Sequence, residues 1–428
     1  MYVLSRQRLS LPAAAGGSGI GTRTVVNAIS TASFFASVPM RSSSDRVCYV
    51  PQAAAGLGPR RPRCGDEGAG AAGRDGGRPR LAATSRRCQG KKGGRLVRTI
   101  DVHAHLMPQC LWRTVDGGGS WYGTRFESGP GLGATVTNGR RSRVPNAKVR
   151  FTPEERLRDM DALRIDTQVV SIHTPLFGYD LEPAQGGQLA RDVNDEIAAM
   201  TRHWPRRFAG LATLPLQDVG AAIDELERAV TVLGLKGAEL DTVVNGAGWD
   251  EPRFRPLFKA AEAMGAVLFF HPQPQHNLLF KETDRFGLAN NLGVIVEDAL
   301  IVATLIFGGV LDACPDLKIC IAHGGGPACF GMGRLDHGWR VRSEARANIQ
   351  RPPSSYQRRL YYDCVTHGEA GLRLLLDHVG ADRVVLGSDW PFVAWHPSPV
   401  AWVQGLLDLS QEDKDRILWL NLERLLDL

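Results

Sequence analysis

Apolar positions between residues 97 and 428 follow two patterns in turn: short, almost continuous runs, and longer stretches where they recur every third or fourth residue. The runs are Val97–His105, Thr167–His173, Phe208–Leu216, Leu235–Leu240, Ala266–His271, Leu317–His323, Arg359–Thr366 and Arg383–Ser388. Such runs read as strands buried on both faces, the pattern of a parallel sheet covered by helices. Between them, Thr152-Pro153-Glu154-Glu155 predicts a capped helix start with proline at its first position, and Leu157, Met160 and Leu163 follow on one face. Ile223, Leu226, Val230 and Leu233 repeat at helical spacing up to Gly234. Eight strand–helix units predict a (β/α)8 TIM barrel over residues 97–428. An open doubly wound sheet is the alternative, but no Gly-x-Gly-x-x-Gly turn follows the first strand. Residues 107–151, with Trp112, Trp121 and Tyr122, form a long loop after that strand and read as a cap insertion over the barrel mouth; a disordered insert is the other reading.

Composition changes the picture only at the N-terminus. The net charge is +6, but residues 1–98 hold 17 basic and 4 acidic residues, against 34 and 41 in the remainder. Residues 1–96 therefore read as a disordered basic leader, either a transit peptide or the product of a start site placed too far upstream. The barrel itself is mildly acidic, so the basic balance predicts no nucleic-acid partner. No Cys-x-x-Cys pair occurs among the eight cysteines, which points away from zinc ribbons and disulfide frameworks and towards a reducing, cytoplasmic setting; a genuine transit peptide would make it organellar. The longest apolar stretch, around Ile301 to Val310, reads as a buried helix too short to span a membrane.

The chemistry gathers at strand ends. In Asp101-Val102-His103-Ala104-His105, side chains two apart on a strand face the same way, so His103 and His105 can reach one metal ion. Alone, the pair is also consistent with a polar strand end. His271 ends the fifth strand, His323 the sixth, and Asp389 follows the eighth. Catalytic groups in a barrel sit at those C-terminal ends, so the set predicts a metal site, with zinc or a neighbouring divalent ion as occupant. Phe177 and Phe392 either line a substrate wall or pack in the core, and His173 can approach the pocket.

Four stretches carry a resemblance to the amidohydrolase superfamily, and within it to the aminocarboxymuconate-semialdehyde decarboxylase group. They are Ile100-Asp101-Val102-His103-Ala104-His105, the segment Pro205–Pro215, Ala322-His323-Gly324-Gly325-Gly326, and Leu386-Gly387-Ser388-Asp389-Trp390-Pro391-Phe392. The resemblance implies one divalent metal, most often zinc, with manganese also accepted, held by His103, His105, His271 and Asp389. It implies His323 as acid/base off the metal. It also implies two arginines for a substrate carboxylate: Arg143 from the cap, and Arg334 reaching a partner's site in a homodimer. The group carries a tryptophan two residues after the fifth-strand histidine; here that position is Gln273, which makes the pocket wall polar. Trp121 and Gln273 then join the substrate-binding candidates. The implied reaction is non-oxidative loss of CO2 from an unsaturated or aromatic carboxylic acid. The alternative is metal-assisted hydrolysis of an amide, lactone or ester, or hydration, by the same fold. Against hydrolysis, Lys236 stands at the start of the fourth strand rather than its end, and no Glu follows His271 closely.

Overall fold

The computed structural model describes residues 98–274 and 285–428. The leader expected over residues 1–96 lies outside them. In chain order the strands are β1 (Ile100–Leu106), β2 (Thr124–Glu127), β3 (Ala134–Thr137), β4 (Arg140–Arg143), β5 (Thr167–Ile172), β6 (Phe208–Gly210), β7 (Gly237–Leu240), β8 (Val267–Phe270), β9 (Lys318–Ile321), β10 (Tyr361–Asp363) and β11 (Val384–Val385). Parallel ladders join β1–β5–β6 and β7–β8–β9–β10–β11. Two seams close the ring. Ala212 N donates to Gly237 O at 2.8 Å and Glu239 N to Ala212 O at 2.9 Å; across the other seam, Val102 N donates to Leu386 O at 2.9 Å and His105 N to Trp390 O at 2.7 Å. The eight parallel segments thus form the barrel that the apolar runs predict.

The ladders are shorter than those runs. Phe208–Leu216 pairs regularly only over Phe208–Gly210, yet Leu211, Leu214 and Leu216 stay fully buried. Burial, which the apolar pattern reports, continues past the last regular backbone bond where the chain turns into the barrel rim.

The stretch after β1 is folded rather than a loop. It comprises a helix, Gln109–Asp116, and an antiparallel sheet of order β2-β3-β4. Asn138 and Gly139, with φ of 50° and 79°, make the tight turn between β3 and β4. That dipeptide is the strongest short-range hairpin signal a sequence can carry. The expected capping box is present: Thr152 N donates to Glu155 Oε2 at 2.9 Å, and Thr152 Oγ1 accepts from Glu155 N at 3.4 Å.

One sequence expectation is corrected. The apolar helix does not begin near Ile301 but runs from Ala289 to Phe307, 19 residues that meet the length and hydropathy of a membrane span. In the barrel it is a packing helix: Glu297 and Asp298 on it are buried, and Asp298 bonds to a strand-end histidine. A carboxylate can sit on so apolar a helix only because a partner receives it.

Candidate metal centre

His103 and His105 leave β1 on its inner face and meet His271 from the end of β8 and Asp389 after β11. One ligand atom from each lies within 4.8 Å of all the others, and all four residues are buried. His103 Nε2 and His105 Nε2 stand 3.2 Å apart, with Asp389 Oδ1 at 3.4 Å and 3.1 Å from them. His271 Nδ1 donates to the Pro272 carbonyl at 2.9 Å, which leaves Nε2 unprotonated, and that Nε2 is buried without any partner. His103 Nδ1 is held by Asp363 Oδ2 at 2.7 Å. Outer nitrogens tied down in this way fix the tautomers that aim Nε2 inward. Inward lone pairs crowded together, one of them orphaned, fit a divalent cation. Burial and the neighbouring His103, His105 and His323 push His271 well below the usual imidazole range. Burial pushes Asp389 upward, but His103 and His105 together hold it well below the usual carboxylate range. For these two residues those are the ligand forms, neutral imidazole and ionised carboxylate; His103 differs, because burial lowers it but Asp389 and Asp363 raise it well above the usual imidazole range.

His323 sits beside this cluster rather than in it. Its ring centroid lies 5.2 Å from that of His103 and 4.9 Å from that of His271. Its Nδ1 pairs with Asp298 Oδ2 at 2.9 Å. His323 has φ of 50°, and Gly324, Gly325 and Gly326 follow at 64°, 72° and 53°. A Cβ on Gly326 would lie 1.9 Å from the Ile295 carbonyl oxygen, so the glycine there is what lets the turn press against the helix bearing Asp298. Asp298 is absent from the sequence candidates. Its signal was the pair Glu297-Asp298 inside an otherwise apolar helix.

A buried polar chain braces the ligands from behind. Asp101 Oδ1 accepts from His103 N at 3.1 Å and Ser388 N at 3.0 Å, and Asp101 Oδ2 accepts from Ser388 Oγ at 2.6 Å and Gln168 Nε2 at 3.2 Å. Arg156 Nε donates to Gln168 Oε1 at 2.8 Å, and its Nη1 to the His105 carbonyl at 2.9 Å. The chain links β1 to Ser388, the neighbour of Asp389. Arg156→Met leaves the His105 carbonyl and Gln168 without a donor in a buried site, which costs about 1–3 kcal/mol. We expect a lower urea midpoint and weaker metal retention in chelator competition. An unchanged midpoint and affinity would show that the brace carries no load.

The proposed substrate residues separate. Gln273 and His173 line a cavity of about 120 Å³ together with Thr135, Thr137, Arg140 and Ser142 from the cap sheet. Phe392 stacks on His173 at 3.6 Å and lies 5.7 Å from the His105 ring. Arg143 is not in this wall. It is exposed on the opposite face of β4, because the register pairs Arg140 with Thr137 and Ser142 with Thr135 on the cavity side. Trp121 is buried within the cap against Tyr122, and Phe177 stacks on Tyr179 at 5.2 Å in the core. Arg334 is exposed on the helix Ala328–Val341. A second cavity, of about 460 Å³, opens on His323 and Asp389.

Residues 100–428 match the family model described as Amidohydrolase. The chain is 31% identical over 324 residues to the 2-amino-3-carboxymuconate-6-semialdehyde decarboxylase of Dictyostelium discoideum, covering 74% of this chain and 89% of that one. It is 30% identical over 262 residues to a gamma-resorcylate decarboxylase of Rhizobium radiobacter, covering 56% and 76%. Among solved structures, 5-carboxyvanillate decarboxylase from Sphingomonas paucimobilis matches with a TM-score of 0.66 at 25% identity, over 78% of this chain and 99% of that one.

Proposed function

The chain belongs to the amidohydrolase family and is a metal-dependent, non-oxidative decarboxylase; from that premise we propose that His103, His105, His271 and Asp389 hold its single divalent ion and that His323 is its proton donor. The observation that carries this reading is the orphaned, buried Nε2 of His271 facing the other three ligand atoms. A divalent ion held by these four residues would supply Lewis acidity to a substrate oxygen. Arg140 and the Thr137 and Ser142 hydroxyls, on the cavity wall, orient the carboxylated substrate through charge-assisted and neutral hydrogen bonds. The carbon–carbon bond to the carboxylate breaks, its electron pair stays on the substrate carbon, and CO2 leaves. His323 Nε2 then gives its proton to that carbon, while Asp298 steadies the ring through Nδ1. No electrons are exchanged with a second reactant.

Hydrolysis through two metals bridged by a lysine finds no support among the described residues: Lys236 Nζ donates to the Asp427 carbonyl at 2.9 Å, at the end of β7 away from the ligands. Zinc is the proposed occupant because three imidazoles and one carboxylate suit it, and manganese is the competitor. Arg334, exposed on its helix, is assigned to the partner's site of a homodimer in a cytoplasmic enzyme. Metal analysis of the purified protein is expected to give one zinc or manganese per chain. Chelation should end CO2 release from carboxylated aromatic substrates and lower the unfolding midpoint, since an ion at a hundred times its Kd stabilises by about 2.7 kcal/mol. Full turnover in metal-free protein would refute the site.

A further inference from the structure

The amide of Gln273 can be oriented without ambiguity. Its Nε2 lies 2.9 Å from the Thr174 carbonyl oxygen, and its backbone N donates to Asp241 Oδ1 at 3.2 Å. A carbonyl accepts and cannot donate, so the NH2 group must face Thr174. The side-chain oxygen takes no hydrogen bond among the described residues, and Gln273 lines the cavity shared with Arg140, Ser142 and His173. The residue is 6% exposed, and rotating the amide would put oxygen against oxygen at Thr174. The carboxylate in the same wall, Asp180, is already engaged by Asn138 Nδ2 at 2.6 Å. The Gln273 side-chain oxygen is thus held as an acceptor in the cavity wall.

We infer that Gln273 is a specificity-determining residue that reads an O–H or N–H on the substrate. On the decarboxylase reading above, on which this rests, Gln273 fixes where on the carboxylic acid substrate that donor must lie. The donor points at Gln273 Oε1. A ligand lacking it leaves a buried acceptor unpaired, and sites built around such a bond reject the analogue that cannot make it.

The test pairs 2-, 3- and 4-hydroxybenzoate with their methyl ethers, which keep the oxygen and lose the donor. Binding is measured by calorimetry on metal-loaded protein, and CO2 release is measured alongside. At one ring position the hydroxy acid is expected to bind roughly 10- to 100-fold more tightly than its ether. In Gln273→Leu that ratio should collapse towards one while ether binding persists, which also shows that the pocket is intact; Gln273→Met repeats the measurement with an unbranched side chain. Any preference that comes from the metal survives both substitutions and is thereby separated. Equal binding of every pair in the wild type, or an undiminished preference in both variants, overturns the assignment. A preference that depends on Gln273 without CO2 release from any acid leaves this residue's role standing and removes the decarboxylase reading instead.

Discussion

Asp389→Asn is expected to purify without its metal and to release CO2 at least about a thousandfold more slowly, since losing several kcal/mol of charge stabilisation costs a factor of ten per 1.36 kcal/mol. Asp389 contributes the anion of the ligand cluster; the other three members are imidazoles. An amide keeps the shape and removes the charge. Fold loss is not the expected cause. Asp389 has φ of 60°, and asparagine is the non-glycine residue that best tolerates that left-handed backbone. Its backbone N would still donate to the His103 carbonyl, 2.9 Å away, so the seam between β1 and the segment after β11 stays closed. The measurements are metal content and turnover after dialysis against zinc and, separately, manganese, with the unfolding midpoint recorded in chelator. A variant that keeps one metal per chain and wild-type turnover would remove Asp389 from the ligand set. A variant whose chelated form melts far below the chelated wild type would trace the loss to the seam instead.

What could be read from the chain, and what could not, divides along the range of the interactions. The barrel was legible because burial on both faces leaves a local trace, a continuous apolar run, and parallel strands need helices between them. His103, His105, His271, His323 and Asp389 could be placed because each ends or follows such a run. Their supports could not. Asp363 meets His103 across 260 residues of chain, and Asp101 meets Ser388 across 287. Nothing local marks such pairs. Asp298 lay within reach, since an acid on an apolar helix demands a partner, but which partner depends on how that helix packs against the glycine turn. That Arg140 rather than Arg143 faces the cavity has a cause of a different kind. The stretch Arg140-Arg141-Ser142-Arg143 carries no apolar alternation to show which face is inward. The Asn138-Gly139 turn would have fixed the hairpin, and the pairing of Thr137 with Arg140 then decides the face.

His323→Asn should separate proton transfer from metal binding. The ring of His323 lies outside the ligand cluster, so the variant is expected to keep its metal while CO2 release falls roughly 10²- to 10⁴-fold, the usual contribution of a positioned acid or base. Asparagine again suits the backbone, since His323 has φ of 50°. Asp298→Asn is the companion variant. Asp298 does not touch the reacting carbon; it positions the imidazole and sets its charge. Burial alone would depress His323, but the Asp298 carboxylate at 2.9 Å more than offsets this and holds its pKa above the ordinary 6.5. If His323 works as an acid, the rate falls as pH rises through that pKa. Replacing Asp298 by a neutral amide leaves burial less opposed, so the pKa drops and this limb of the profile moves to lower pH. A residue that merely packed under the helix would lower the rate at every pH and leave the limb where it was. Wild-type turnover in metal-replete His323→Asn would end the proton-donor assignment, and an unmoved limb in Asp298→Asn would reduce the pair to a structural contact.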